Sequence, residues 1–226
     1  MEAERRAHAR LARAVAIAAS PYLVLSVTSG YFWHVLRQRP TLFWLFDVFR
    51  FVVLPSLTLI WLAKARRVGP GRYGLASTNR ENVIHLILSV MALTFVLHIV
   101  LLLSDSLVAV VLNQSFTRSR YEDLITDGPL RVPVIAYLAL SAGIVEEIFF
   151  RGLPLLYVES RFAVLPLAAY VLGTSSVFAV CHLGHGWQDF VAALAYGLVA
   201  SALYVRLRNL WPLVGSHVLV DLWHIL

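Results

Sequence analysis

The chain has 226 residues, of which 59% are hydrophobic and only 14% charged, with a mean hydropathy of +0.75. Soluble domains average about 25% charged residues, and a globule this small has too much surface to hide so large an apolar share. A soluble monomer is therefore excluded, as is a disordered chain, which needs low hydrophobicity; what remains is an all-α, polytopic transmembrane helix bundle.

The net charge of +6 does not signal a nucleic-acid partner. The basic residues stand in short clusters between apolar runs, as they do in membrane-protein loops. The first cluster (Arg5, Arg6, Arg10, Arg13) leads into an apolar run with no convincing small-residue cleavage site after it. That pattern predicts a retained first span rather than a signal peptide.

A crossing helix needs roughly 20 mostly apolar residues. By that measure about seven spans are expected, near 14–35, 42–62, 83–104, 132–156, 162–183, 189–206 and 210–226, with room for an eighth. The apolar stretch 105–112 either lengthens the third span or forms an interfacial helix. The last span is short for a full crossing. Residues 1–130 are expected to form an N-terminal membrane-embedded region of about three spans plus interfacial segments, and 131–226 a four-span core.

Basic residues set orientation through their excess in cytoplasmic loops. With the N-terminus inside, the inner segments hold Arg5, Arg6, Arg10, Arg13, Lys64, Arg66, Arg67, Arg72, Arg80, Arg161, Arg206 and Arg208. The outer loops hold only Arg37, Arg39, Arg118, Arg120 and Arg131. The bias predicts a cytoplasmic N-terminus. One cysteine, Cys181, leaves no intrachain disulfide to form.

Ionisable residues inside a bilayer are expensive and therefore functional candidates. Glu146, Glu147 and Arg151 fall in one span, His182 at the end of the next, and His217, Asp221 and His224 in the last. Residues four apart share a helical face. Glu147 and Arg151 can thus pair along one helix, while Glu146, turned about 100° away, faces elsewhere. His217 and Asp221 point together, and Phe178 precedes His182 by one turn. The span boundaries put His182 and His217 at different depths, so meeting would take tilted or broken helices around a wet cavity. Asp47 and Arg50, three apart, are expected to neutralise each other. His34, His85, His98 and Asp105 read as structural or interfacial, and His185 and His224 as accessory.

At these residues the sequence resembles the CAAX protease and bacteriocin-processing family of glutamic-type intramembrane endopeptidases. The three motifs are Glu146-Glu147-x-x-x-Arg151, Phe178-x-x-x-His182 and His217-x-x-x-Asp221. The resemblance covers roughly residues 130–226. It implies that Glu146 is the base that activates a water held by His182, and that His217 and Asp221 surround the oxyanion. It implies a structural or substrate-positioning role for Glu147 and Arg151. An ionised Asp221 only accepts hydrogen bonds, so orienting His217 is its alternative role.

The expected activity is cleavage of a membrane-anchored or lipidated protein or peptide, with the lipid bilayer as the other partner and no cofactor. Glu146, His182, His217 and Asp221 are also plausible zinc ligands, although the His-Glu-x-x-His motif of helical zinc proteases is missing. A zinc-dependent version of the protease is thus the chemical alternative. A non-proteolytic immunity factor, or a transporter with a buried proton relay, is the alternative of another class. The arginine-rich, lysine-poor composition suggests a GC-rich bacterial genome and a multi-pass protein of the inner membrane.

Overall fold

The structure, a computed structural model, describes residues 2–75, 83–113, 124–125 and 127–225. The loop residues Arg80, Arg118 and Arg120, which entered the orientation argument, lie outside them. Every regular element among the described residues is helical. This is what lipid requires of an open chain, because a helix satisfies its backbone hydrogen bonds internally.

Helix α1 spans Glu2–Tyr31. It starts well before the expected span, because Glu2 and Arg6 pair across the first turns and carry the helix through the charged stretch. A short α2, Trp33–Arg37, leads to α3, Pro40–Arg66. Pro40 suits a helix start, where its missing N–H costs nothing. Arg67, with a φ of 54°, ends the helix in the left-handed conformation. Helix α4, Val83–Leu112, absorbs the apolar stretch 105–112 into one long span. Then come α5 (Arg131–Arg161), α6 (Leu167–His182), α7 (Trp187–Leu207) and α8 (Trp211–Ile225).

Among the described residues, six helices are long and apolar enough to cross a membrane, namely α1, α3, α4, α5, α6 with its 3-10 extension, and α7. The seventh expected span is α8, whose 15 residues rise about 22 Å, short of the roughly 30 Å hydrocarbon core.

Two spans contain a widened turn. In α3 it covers Phe49–Val53, and in α5 Ile148–Gly152. Each is followed by Leu-Pro: Leu54-Pro55 and Leu153-Pro154. Proline has no N–H and crowds the carbonyl four residues back. The widened turn takes up that conflict through five-residue hydrogen bonds, from Leu54 N–H to the Phe49 carbonyl and from Leu153 N–H to the Ile148 carbonyl. Arg50 and Arg151 both sit within these turns.

One hydrophobic core unites the N-terminal region with the last four helices. It includes Val15 and Tyr22 of α1, Leu62 of α3, Phe149 of α5, Phe178 of α6 and Leu213 of α8. The rings of Tyr22 and Phe149 stack with centroids 4.2 Å apart. Helix α4 is the peripheral member, packing on α7 and α8 and leaving an apolar face for lipid.

The end of α1 is pinned to the end of α6 by two glycines. A Cβ on Gly184 would lie 1.6 Å from the Gly30 carbonyl oxygen, so a backbone would have to move. Gly184→Ala should cost about 1–3 kcal/mol or more, read as a lower melting temperature in detergent. Gly173→Ala, in α6 with open space around it, should cause no loss.

Candidate active site in a polar cavity

Adjacent positions on a helix point about 100° apart, and α5 uses this to aim two carboxylates at two destinations. Glu147 points into the bundle and is fully buried. Its Oε1 accepts from Arg151 Nη1 at 3.2 Å, from Tyr196 Oη at 3.3 Å and from His217 Nδ1 at 2.8 Å. The expected Glu147–Arg151 pair is therefore present, with α7 and α8 added to it.

Arg151 is also fully buried, and its Nε and Nη2 have no hydrogen-bond partner among the described residues. Its guanidinium lies 4.4 Å from the Phe178 ring centroid and 5.4 Å from that of Tyr196. The aromatic faces stabilise the cation where acceptors do not. The widened turn leaves the Arg151 carbonyl to accept from Tyr170 Oη at 3.2 Å.

Glu146 faces a cavity of about 810 Å³ that His182, His217 and Asp221 also line. Its Oε1 pairs with Arg50 Nη2 at 3.3 Å. Its Oε2 lies 3.8 Å from His217 Nε2, which is 3.6 Å from Asp221 Oδ2. These separations are too long for direct hydrogen bonds, but they leave both atoms of each pair within reach of one oxygen atom lying to the cavity side. Since Nδ1–H of His217 donates to Glu147, its Nε2 is the ring atom turned to the cavity.

His182 ends α6. Its Nδ1–H donates to the Phe178 carbonyl at 2.8 Å, and the two rings lie 4.6 Å apart. In the neutral ring this puts the acceptor lone pair on Nε2. The different depths of His182 and His217 are reconciled by the cavity itself. It extends from the end where Gly30 and Gly184 meet down to Glu146. Beside Glu146, α5 and α8 approach closely, with a Cβ on Gly143 falling 2.6 Å from Val218 Cγ2.

His185 and His224 line the same cavity nearer that end. His185 stacks on Trp33 at 4.1 Å, and His224 Nδ1 bonds the Val220 carbonyl at 2.8 Å.

Three features were not read from the sequence. Arg50 pairs with Glu146 on α5, while Asp47, the acid expected to neutralise it, accepts from Tyr137 Oη at 2.9 Å. Ser26 of α1 accepts from Arg50 Nε at 3.2 Å. Tyr196 joins the Glu147 cluster. The signal for Arg50 was present, as an arginine within an apolar span; nothing in the spacing named its partner. Ser26 and Tyr196 carry no charge and offered no such signal.

Among the described residues, no group of three His, Cys, Asp or Glu side chains is arranged to hold a metal ion. No curated protein and no solved structure matches the chain. Residues 128–223, somewhat under half of the chain, match the family described as Rce1-like, type II CAAX prenyl endopeptidase Rce1-like. The matched stretch includes all three motifs, with Glu146, Glu147, Arg151, His182, His217 and Asp221, whereas Arg50 lies outside it. Over residues 128–223 the chain is thus similar to the Rce1-like CAAX endopeptidases, in keeping with the CAAX protease and bacteriocin-processing resemblance of its motifs.

Proposed function

We propose that the protein is a glutamic-type intramembrane endopeptidase that cuts a membrane-anchored or lipidated protein or peptide, in the inner membrane of a bacterium. The observation that carries this reading is the gap between Glu146 Oε2 and His217 Nε2, 3.8 Å across, in a polar cavity enclosed by membrane helices. Peptide hydrolysis needs a proton acceptor, a water and a donor for the oxyanion. Glu146 Oε2 takes the proton of a water that His182 helps to hold. The hydroxide adds to the substrate carbonyl, and the resulting oxyanion lies against His217 Nε2–H. Collapse breaks the C–N bond as Glu146 returns the proton to the departing amine. Glu147 fixes the ring of His217 through Nδ1, and Arg151 holds Glu147. Asp221 orients His217 from the other side of Nε2.

The reaction in this form uses no metal, and the ion pairs of Glu146 with Arg50 and of Glu147 with Arg151 favour carboxylates that act as base and anchor rather than as metal ligands. The test uses purified protein in vesicles of phosphatidylethanolamine and phosphatidylglycerol. Two probes are offered, a prenylated CAAX peptide and a peptide with an apolar C-terminal anchor, with mass spectrometry of the new ends. Cleavage of either one, unchanged by a zinc chelator, is expected. Activity lost to the chelator and restored by zinc would replace the water-only mechanism. Cleavage of neither, with proton-coupled solute uptake instead, would replace the protease by a transporter.

A further inference from the structure

We propose that Arg50, from outside the matched region 128–223, is a positioning residue for the base, and that α1 and α3 are thereby part of the catalytic apparatus. This inference rests on the protease reading of Glu146 given above.

The geometry begins with the widened turn of α3. Arg50 sits in that turn, which packs against α5. Its guanidinium is held on three sides. Nε donates to Ser26 Oγ of α1 at 3.2 Å, the Phe51 ring centroid lies 4.4 Å from the central carbon, and the Tyr22 ring centroid lies 6.0 Å away. Ser26 and Tyr22 are both fully buried, so α1 supplies a rigid backstop. The remaining edge, Nη2, meets Glu146 Oε1 at 3.3 Å.

A carboxylate has two oxygens, and a base on a flexible side chain can present either. Arg50 engages Oε1 and so leaves Oε2 on the side of His217 Nε2, 3.8 Å away. Misplacing a catalytic group by about 1 Å can cost around 100-fold in rate. The other ionisable groups around this carboxylate include Asp47 on α3, Tyr22 on α1, Glu147 on α5, Cys181 and His182 on α6, and His217 with Asp221 on α8. Arg50 is the cation among them that is in hydrogen-bond reach of Glu146.

The experiment measures kcat and KM of full-length protein in vesicles, with whichever of the two peptides is cleaved. Arg50→Ala should lower kcat about 100-fold with KM within about threefold of wild type. Added guanidinium ion should restore a large part of kcat without changing the melting temperature, which a purely structural loss would not allow. Ser26→Ala, a milder change that keeps the arginine, should lower kcat severalfold and leave KM alone. If Arg50→Ala does not fold, the Ser26→Ala result decides.

Unchanged kcat in Arg50→Ala, or in Ser26→Ala where the first variant fails to fold, overturns the inference. So does a rise in KM at constant kcat, which would make Arg50 a substrate-binding group. If Glu146→Gln is inactive while the tested α1–α3 variant is fully active, only this inference falls. If Glu146→Gln is active, or wild type cleaves neither peptide, the protease reading falls and takes this inference with it.

Discussion

Glu146→Gln is expected to reduce cleavage by about 100- to 10,000-fold while the protein stays folded. The range is the usual contribution of a positioned acid–base group. The amide is nearly the same size and its oxygen can still face Arg50, but it cannot carry a proton between water and amine. Stability should hold because this pair borders a polar cavity rather than closed hydrocarbon. Arg50, 15% exposed at its side chain, keeps access to water, to Ser26 and to the field of Asp47. His182→Ala should be similarly inactive and similarly folded. Proteolysis in vesicles, set beside size-exclusion and thermal melting profiles, checks both. Full activity of purified Glu146→Gln would remove Glu146 as the base.

The adjacent glutamate should behave in the opposite way. Glu147→Leu leaves Arg151, which has no exposed surface, without its counter-charge. Breaking a buried pair on one side costs about 3–5 kcal/mol, so a large drop in melting temperature is expected. Replacing both members with apolar residues, as Glu147→Leu with Arg151→Met, should recover much of that loss, since a buried pair is often no better than packed hydrocarbon. Activity should not recover, because His217 Nδ1 has then lost the carboxylate 2.8 Å away that orients its ring. Melting curves and cleavage rates on the three proteins separate the two effects. A double variant as unstable as the single one would mean that the pair does more than balance charge.

Much of this was legible in the sequence because lipid makes each polar residue conspicuous. The helical class followed from composition, and the spacing of Glu147 and Arg151 named their pair. His217 and Asp221 shared a face as one-turn neighbours must. Less accessible was anything decided between helices. The contact of His217 with Glu147 spans 70 residues and that of Arg50 with Glu146 spans 96. No periodicity encodes such distances. The widened turns were likewise hidden, although Leu-Pro after an arginine-bearing segment is common to both. The shortness of the last span is visible in the sequence, and the 15 helical residues of α8 agree with it.

The 96-residue separation of Arg50 from Glu146 also bears on how the protein is made. At about 5–20 residues per second, α3 leaves the ribosome several seconds before α5 exists. For that interval an arginine in an apolar segment faces an insertion penalty of about 2.5–3.5 kcal/mol. Asp47, one turn earlier on the same helix, is the acid already at hand, and its later partner Tyr137 is also still unmade. The aspartate is thus placed to offset the arginine's charge while the segment is nascent and Glu146 is still unmade, which would tie biogenesis to the same few side chains that shape the finished cavity.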